Sequence, residues 1–232
     1  HKKSSIYGSK EEFRNYRKGD RYRDIAIKKS AKLALRRGHK SLKADDLISF
    51  ERQSKGKCHI VYALDASGSM KGKKIDACKK AGIALAYKAI DEKDKVGLIV
   101  FGSEIQTIVE PTSDFAFLLK KITSARASKQ TDLTATLRKS IELFPHQGIT
   151  KHLILITDAL PTIGDDPEKS TLKEASLARN KGITISLIGI NLDEKGKKLA
   201  ERIVEIGDGK LYVVNNADNV DEIVLEDYYG VV

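Results

Sequence analysis

Five residues have the types and spacing to do chemistry: Asp65, Ser67 and Ser69 in "LDASGSM" (64–70), Thr131 in "KQTDLTATL" (129–137) and Asp158 in "ITDA" (156–159). Together they are an oxygen-only set. Hydroxyl and carboxylate oxygens are hard ligands, suited to Mg²⁺ or Mn²⁺ and poor for zinc. Two carboxylates balance a divalent ion. Uncharged hydroxyls as direct ligands leave it electrophilic, with a position for a carboxylate from outside. The chemistry expected is that of a docking metal. Metal-assisted hydrolysis would use the same oxygens, but no base is evident beside them.

Simpler readings account for single residues and not for the set. An Asp at a strand end followed by Ser can cap the next helix, and Thr131 or Asp132 can be an ordinary N-cap. "GSMKGKK" (68–74) has three residues between its glycines and Lys-Lys after them, so it is not a P-loop. There is no G-x-S-x-G elbow, and His59, His146 and His152 read as surface or strand-end histidines outside any triad.

To converge, these residues need a sheet. From residue 58 onward strands and helices alternate. Apolar runs at 59–65, 96–101, 152–158, 183–190 and 211–214 suit strands covered on both faces, as in a parallel sheet. "EIQTIVE" (104–110) alternates polar and apolar residues after Gly102-Ser103 and reads as an antiparallel edge strand. Helices are expected at about 71–90, from Asp114, over "LTATLRKSIELF", at 168–181, at 194–206 and at about 220–229. The predicted fold class is α/β: an open, doubly wound, mostly parallel six-stranded sheet with one antiparallel edge strand and helices on both faces. In such sheets ligands sit beyond the carboxyl ends of the strands. If the strands ending at Asp65 and Asp158 are neighbours, both acids face one crevice.

Charge divides the 232 residues in two. Residues 1–57 hold 18 Lys/Arg against 7 Asp/Glu, whereas residues 58–232 hold 24 against 25. The domain organisation expected is a basic amino-terminal segment, 1–57, with a helix at about 22–37 and an extended arm at 39–51, followed by the α/β domain, 58–232. The basic segment has three readings: a solvated helix packed on the domain, a surface for an acidic protein partner or neighbouring subunit, or a nucleic-acid contact with sparse aromatic interleaving. Only two cysteines, Cys58 and Cys78, are present. They form no C-x-x-C pair and read as small core residues of a cytoplasmic protein. No apolar run is long enough to span a bilayer. The start, "HKKSSIYGSK", reads as a piece cut from a longer chain.

The D-x-S-x-S at Asp65, Ser67 and Ser69, the later Thr131 and the Asp158 of "TDA" resemble the metal-ion-dependent adhesion site of von Willebrand factor A domains. The resemblance covers roughly residues 58–225. It implies Ser67, Ser69 and, in one state, Thr131 as direct metal ligands, with Asp65 and Asp158 acting through water. Two departures stand out: Gln130 and Asp132 flank the Thr where the family often has Gly and then Asn or Pro, and Ala159 follows Asp158 where it often has Gly. Asp132 adds a third acid that would tighten metal binding and weaken an acidic partner. The approach, "SLKADDLISFERQSKGKCHIVYALDASGSM", with "KVGLIVF", is similar to the C-terminal region of magnesium chelatase D subunits and their archaeal relatives.

That resemblance implies a cytoplasmic, Mg²⁺-dependent protein–protein interaction domain, binding an Asp or Glu of a partner protein at the metal. It implies a non-catalytic subunit of a chelatase-like, AAA+-associated assembly, with an AAA+ ATPase as a possible partner and no membrane contact. The alternative function is nucleic-acid binding through residues 1–57 with the A domain as scaffold.

Overall fold

The structure is a computed structural model and describes residues 12–17, 25–51, 58–126, 131–145, 148–158, 161–215 and 219–231. The chain divides into two compact units, His1–Lys55 and Gly56–Val232.

In the first unit, β1 (Glu12–Asn15) pairs antiparallel with β2 (Ile48–Glu51), and α1 spans Ile27–Arg36. The helix expected at about 22–37 therefore begins at Ile27. Upstream of it Ile25 is bridged to Ser49, and the Ala26 amide donates to the Ile48 carbonyl at 2.7 Å, so this backbone is already committed to the strand pair. Residues 22–24 lie outside the described residues. The arm expected at 39–51 is broken by one turn of 3-10 helix, Ala44–Asp46. The fully buried Asp46 carboxylate causes that turn by gathering three donors: the Lys43 amide at 3.1 Å, Arg37 at 3.1 Å and His39 Nδ1 at 2.7 Å. Small residues, Ala26, Ser30 and Ala34, face inward, while Ile27 and Leu35 are exposed. Ser30 Oγ accepts from the Ile48 amide at 2.9 Å and donates to the Ala26 carbonyl at 3.0 Å, which pins α1 to β2.

The second unit holds a six-stranded sheet in the order β5-β4-β3-β6-β7-β8. Its strands are β3 (Cys58–Asp65), β4 (Lys95–Phe101), β5 (Ile105–Thr112), β6 (Thr150–Thr157), β7 (Ile183–Ile190) and β8 (Asp208–Val214). Only β5 runs antiparallel, at the edge beside β4. The helices are α2 (Lys73–Asp91), α3 (Phe115–Thr123), α4 (Leu133–Glu142), α5 (Pro167–Asn180), α6 (Glu194–Gly207) and α7 (Val220–Val231). The predicted α/β class and the antiparallel edge are as observed.

Alternation along β3 explains the two layers. Ile60, Tyr62 and Leu64 pack with residues of α2, α3 and α7, whereas Val61 and Ala63 pack with residues of α4, α5 and α6. Both faces are buried, as continuous apolar strands require. Gly82 lets α2 lie close on β3: a Cβ there would come within 2.8 Å of the Tyr62 ring. The Tyr62 hydroxyl in turn donates to the Cys78 carbonyl of α2. The helix that follows the "DASGSM" turn is thereby locked to the strand that precedes it.

Burial alone would raise the Asp46 carboxyl, but the donors from His39, the Lys43 amide and Arg37 outweigh it and hold it below its ordinary value. A carboxyl depressed in the folded state contributes stability that is present above about pH 4 and lost as pH falls through the folded value. Asp46→Asn should therefore lower the urea midpoint of amide signals from residues 26–48 at pH 7, and the gap from wild type should close as the pH falls below about 4. A gap unchanged at acid pH would contradict this.

Candidate metal centre

The chain leaves β3 toward β4 on one side, while β6 flanks β3 on the other and leads on to β7. The connections diverge there, and the carboxyl ends of β3 and β6 border the resulting crevice. Register places Leu64 opposite Ile156, so Asp65 stands level with Thr157 and one residue short of Asp158. Past Asp65 the chain makes one 3-10 turn, Gly68–Met70. The fully buried Met70 plugs that turn into the core shared with α2. Gly72 then takes φ +71°, a conformation side chains disfavour, and α2 begins.

Four of the five expected residues are joined by hydrogen bonds. Asp65 Oδ1 accepts from the Ser67 amide at 2.7 Å, and its Oδ2 accepts from the Thr157 hydroxyl at 2.6 Å. The hydroxyl oxygens of Ser67 and Ser69 lie 3.1 Å apart, and Ser69 Oγ donates to Asp158 Oδ1 at 2.7 Å. The other oxygen of Asp158 accepts from Lys74 Nζ at 2.6 Å.

Thr131 is buried and tied in through its backbone. Its carbonyl accepts from the Thr162 amide at 3.1 Å, and the next amide, of Asp132, donates to the Gly102 carbonyl at 2.8 Å. Gly102 directly follows Phe101, whose carbonyl accepts from Ala66 at 2.7 Å, so the Thr131 segment borders the Asp65 turn. Among the described residues, the hydrogen-bonded chain joins the other four and not the Thr131 hydroxyl. Asp132 is the N-cap of α4: its carboxylate accepts from the Ala135 amide at 2.9 Å. That use engages it in the helix start. Gln130 and Ala159 lie outside the described residues.

Sequence reasoning missed Thr157 and Lys74. Thr157 sits beside Asp158 in "LITDA", and its role follows only once β3 and β6 are known to pair. Lys74 lies in the first turn of α2, beside a motif already singled out. Of the two readings of His152, surface or strand end, the surface one is overturned. It is fully buried, with Nε2 at 3.1 Å from Ser186 Oγ and 3.0 Å from Asp227 Oδ2 on α7. Ser186 Oγ donates to Asp227 Oδ1 at 2.8 Å. Although made of Ser, His and Asp, this set is sealed from water at the amino ends of β6 and β7, where no substrate has access. It fastens α7 to the sheet. His59 is half-buried on β3, and His146 lies outside the described residues. Both cysteines are buried free thiols.

The donor set fits a small divalent cation. Neighbouring oxygens around an octahedral Mg²⁺ lie about 3 Å apart, which is the spacing of Ser67 and Ser69. No group of three or more His, Cys, Asp or Glu that could hold a metal occurs among the described residues. The hydroxyls therefore set the character of the site. Burial pushes Asp65 up to about 6, helped by the nearby Asp158 charge and opposed by Thr157 and Ser67.

Residues 60–160 match the family model described as the von Willebrand factor type A domain. The fold of the second unit is that of the vWF domain of the type V pili tip protein Mfa5 from Porphyromonas gingivalis, with a TM-score of 0.63 and 15% identity over 76% of this chain and 97% of that one. It is shared by proximal thread matrix protein 1 from the mussel byssus, solved with a zinc-occupied MIDAS motif, with a TM-score of 0.60 and 21% identity over 75% of this chain and 45% of that one. In sequence, the chain is 29% identical to the magnesium-chelatase 67 kDa subunit of Heliobacterium mobile over 114 residues, 47% of this chain and 17% of that protein. It spans between about a sixth and a third of the length of several curated relatives. No helix among the described residues is long and apolar enough to cross a membrane.

A carboxyl that titrates near 6 when folded and near 3.9 when unfolded costs stability above pH 6, and that cost shrinks as pH falls toward 4. In EDTA at pH 8, Asp65→Asn should therefore raise unfolding stability by about 1–3 kcal/mol in urea titrations. Destabilisation by this variant would contradict the burial account of Asp65.

Proposed function

We propose that the second unit is a divalent-cation-dependent protein-interaction domain of the von Willebrand factor A kind. The observation that carries this reading is the pair of hydroxyls, Ser67 and Ser69, 3.1 Å apart at a strand-end crest with Asp158 beside them. Ser67 and Ser69 would be direct ligands to Mg²⁺ or Mn²⁺, with Thr131 joining them in one state of the site. Asp65 and Asp158 would hold the surrounding waters and hydroxyls in place. When bound, the ion supplies an electrophilic position for an Asp or Glu carboxylate of a partner protein. The zinc named for the mussel relative supports a divalent ion at a crest of this architecture, and hard oxygen donors favour Mg²⁺ or Mn²⁺ here.

The chain's own residues do the remaining work. Thr157 and the Ser67 amide fix the Asp65 carboxylate, and Met70 with Gly72 sets the path that turns Ser69 toward Asp158 with the Ser67 hydroxyl beside it. The basic first unit adds long-range attraction for an acidic partner. The similarity to a magnesium-chelatase subunit supports a non-catalytic, organising role in an AAA+-associated assembly, working in the cytoplasm. Two buried free thiols suit that reducing compartment.

Calorimetric titration of Mg²⁺ tests this directly. The wild-type chain should bind one equivalent saturably, and Ser67→Ala/Ser69→Ala should weaken binding by about 100-fold or abolish it. Indistinguishable isotherms would overturn the proposal.

A further inference from the structure

The crest carries a resident positive charge that the metal reading does not use. Lys74 Nζ lies 2.6 Å from Asp158 Oδ2, while Ser69 occupies Oδ1, so both oxygens of that carboxylate are engaged. The Asp158 side chain is only 2% exposed, whereas that of Lys74 is 29% exposed. A carboxylate so enclosed needs a counter-charge, and α2 delivers one from its first turn. Gly72 starts that turn, and the lock between α2 and β3 through Tyr62 and Gly82 holds it in place.

We infer that Lys74 is a built-in counter-ion that weakens the crest's grip on a divalent cation and keeps the loaded crest net positive toward an incoming carboxylate. This inference rests on the metal reading above. Asp65 and Asp158 together carry two negative charges, enough to cancel a divalent ion. With Lys74 paired to Asp158, one positive charge is left over at the crest. Asp132 keeps its own charge, since the amide it caps is neutral, but among the described residues it is not part of the hydrogen-bonded chain that joins Lys74 to the crest. Lys74 therefore trades tightness of metal binding for pull on an acidic partner. It is a positioning and charge-setting residue, separate from the ligands themselves.

The test compares Lys74→Gln, Lys74→Met and Lys74→Arg with wild type. The probes are Mg²⁺ titration by calorimetry and melting temperature with and without Mg²⁺. Removing the charge should tighten Mg²⁺ binding on the order of tenfold, and Lys74→Arg should bind like wild type. In EDTA the Gln and Met variants should melt lower than wild type, because a buried carboxylate loses its partner. Their rise in melting temperature on adding Mg²⁺ should be larger than that of wild type. Lys74→Met keeps the aliphatic stem, so a folding defect in Lys74→Gln leaves the comparison intact. Equal or weaker Mg²⁺ binding in the neutral variants, with wild type binding normally, would overturn this inference alone. A wild-type chain that binds no Mg²⁺ would overturn the metal reading and this inference together.

Discussion

Two carboxylates brought to the ends of adjacent parallel strands, with almost no water around them, must each be satisfied by protein groups or by a cation. Asp65 and Asp158 are held under that constraint by the pairing of β3 with β6. Asp65 is satisfied by a hydroxyl and a backbone amide. Asp158 is satisfied by a hydroxyl and an ammonium group. Desolvation and mutual repulsion both disfavour two charges here, which is why Asp65 holds its proton to a higher pH than an exposed carboxyl. Such stored unfavourable energy is expected where a ligand later relieves it.

The rest of the second unit serves that arrangement. β3 is apolar along its length because both its faces are covered, and only its last residue carries charge. The "DASGSM" turn is shaped from below by buried Met70 and from behind by Gly72. It is then clamped because α2 rests on Tyr62 through Gly82. At the opposite end of the sheet, His152, Ser186 and Asp227 tie α7 down, and Tyr228 donates to Asp94 at 2.7 Å. The distal network and the crest lie at opposite ends of the sheet.

The central strands were readable because burial on both faces leaves continuous apolar runs, and β5 because its single exposed face leaves alternation. Asp65, Ser67, Ser69 and Asp158 were readable as a group since each stands at or just beyond the end of such a run. The Asp132 cap was open to reading from "TDL", though its carboxylate could equally have been counted at the crest. Lys74 was not readable, because its partner is 84 residues away and the pairing needs two strands and a helix in place. His152 misled for a similar reason. Beside Lys151 near a strand end it looks exposed, yet it is buried by partners from β7 and α7. The β1–β2 pair escaped notice because "EFRN" and "ISFE" are four residues each, lie far apart in sequence, and become a sheet only through each other.

The most direct measurement is anomalous diffraction at the manganese edge from crystals of this chain grown in Mn²⁺. A single strong peak is expected at the crest, within bonding distance of the hydroxyl oxygens of Ser67 and Ser69, with Asp65 and Asp158 beyond direct contact. Well-ordered crystals with an empty crest, or with manganese held only by carboxylates elsewhere on the surface, would contradict it.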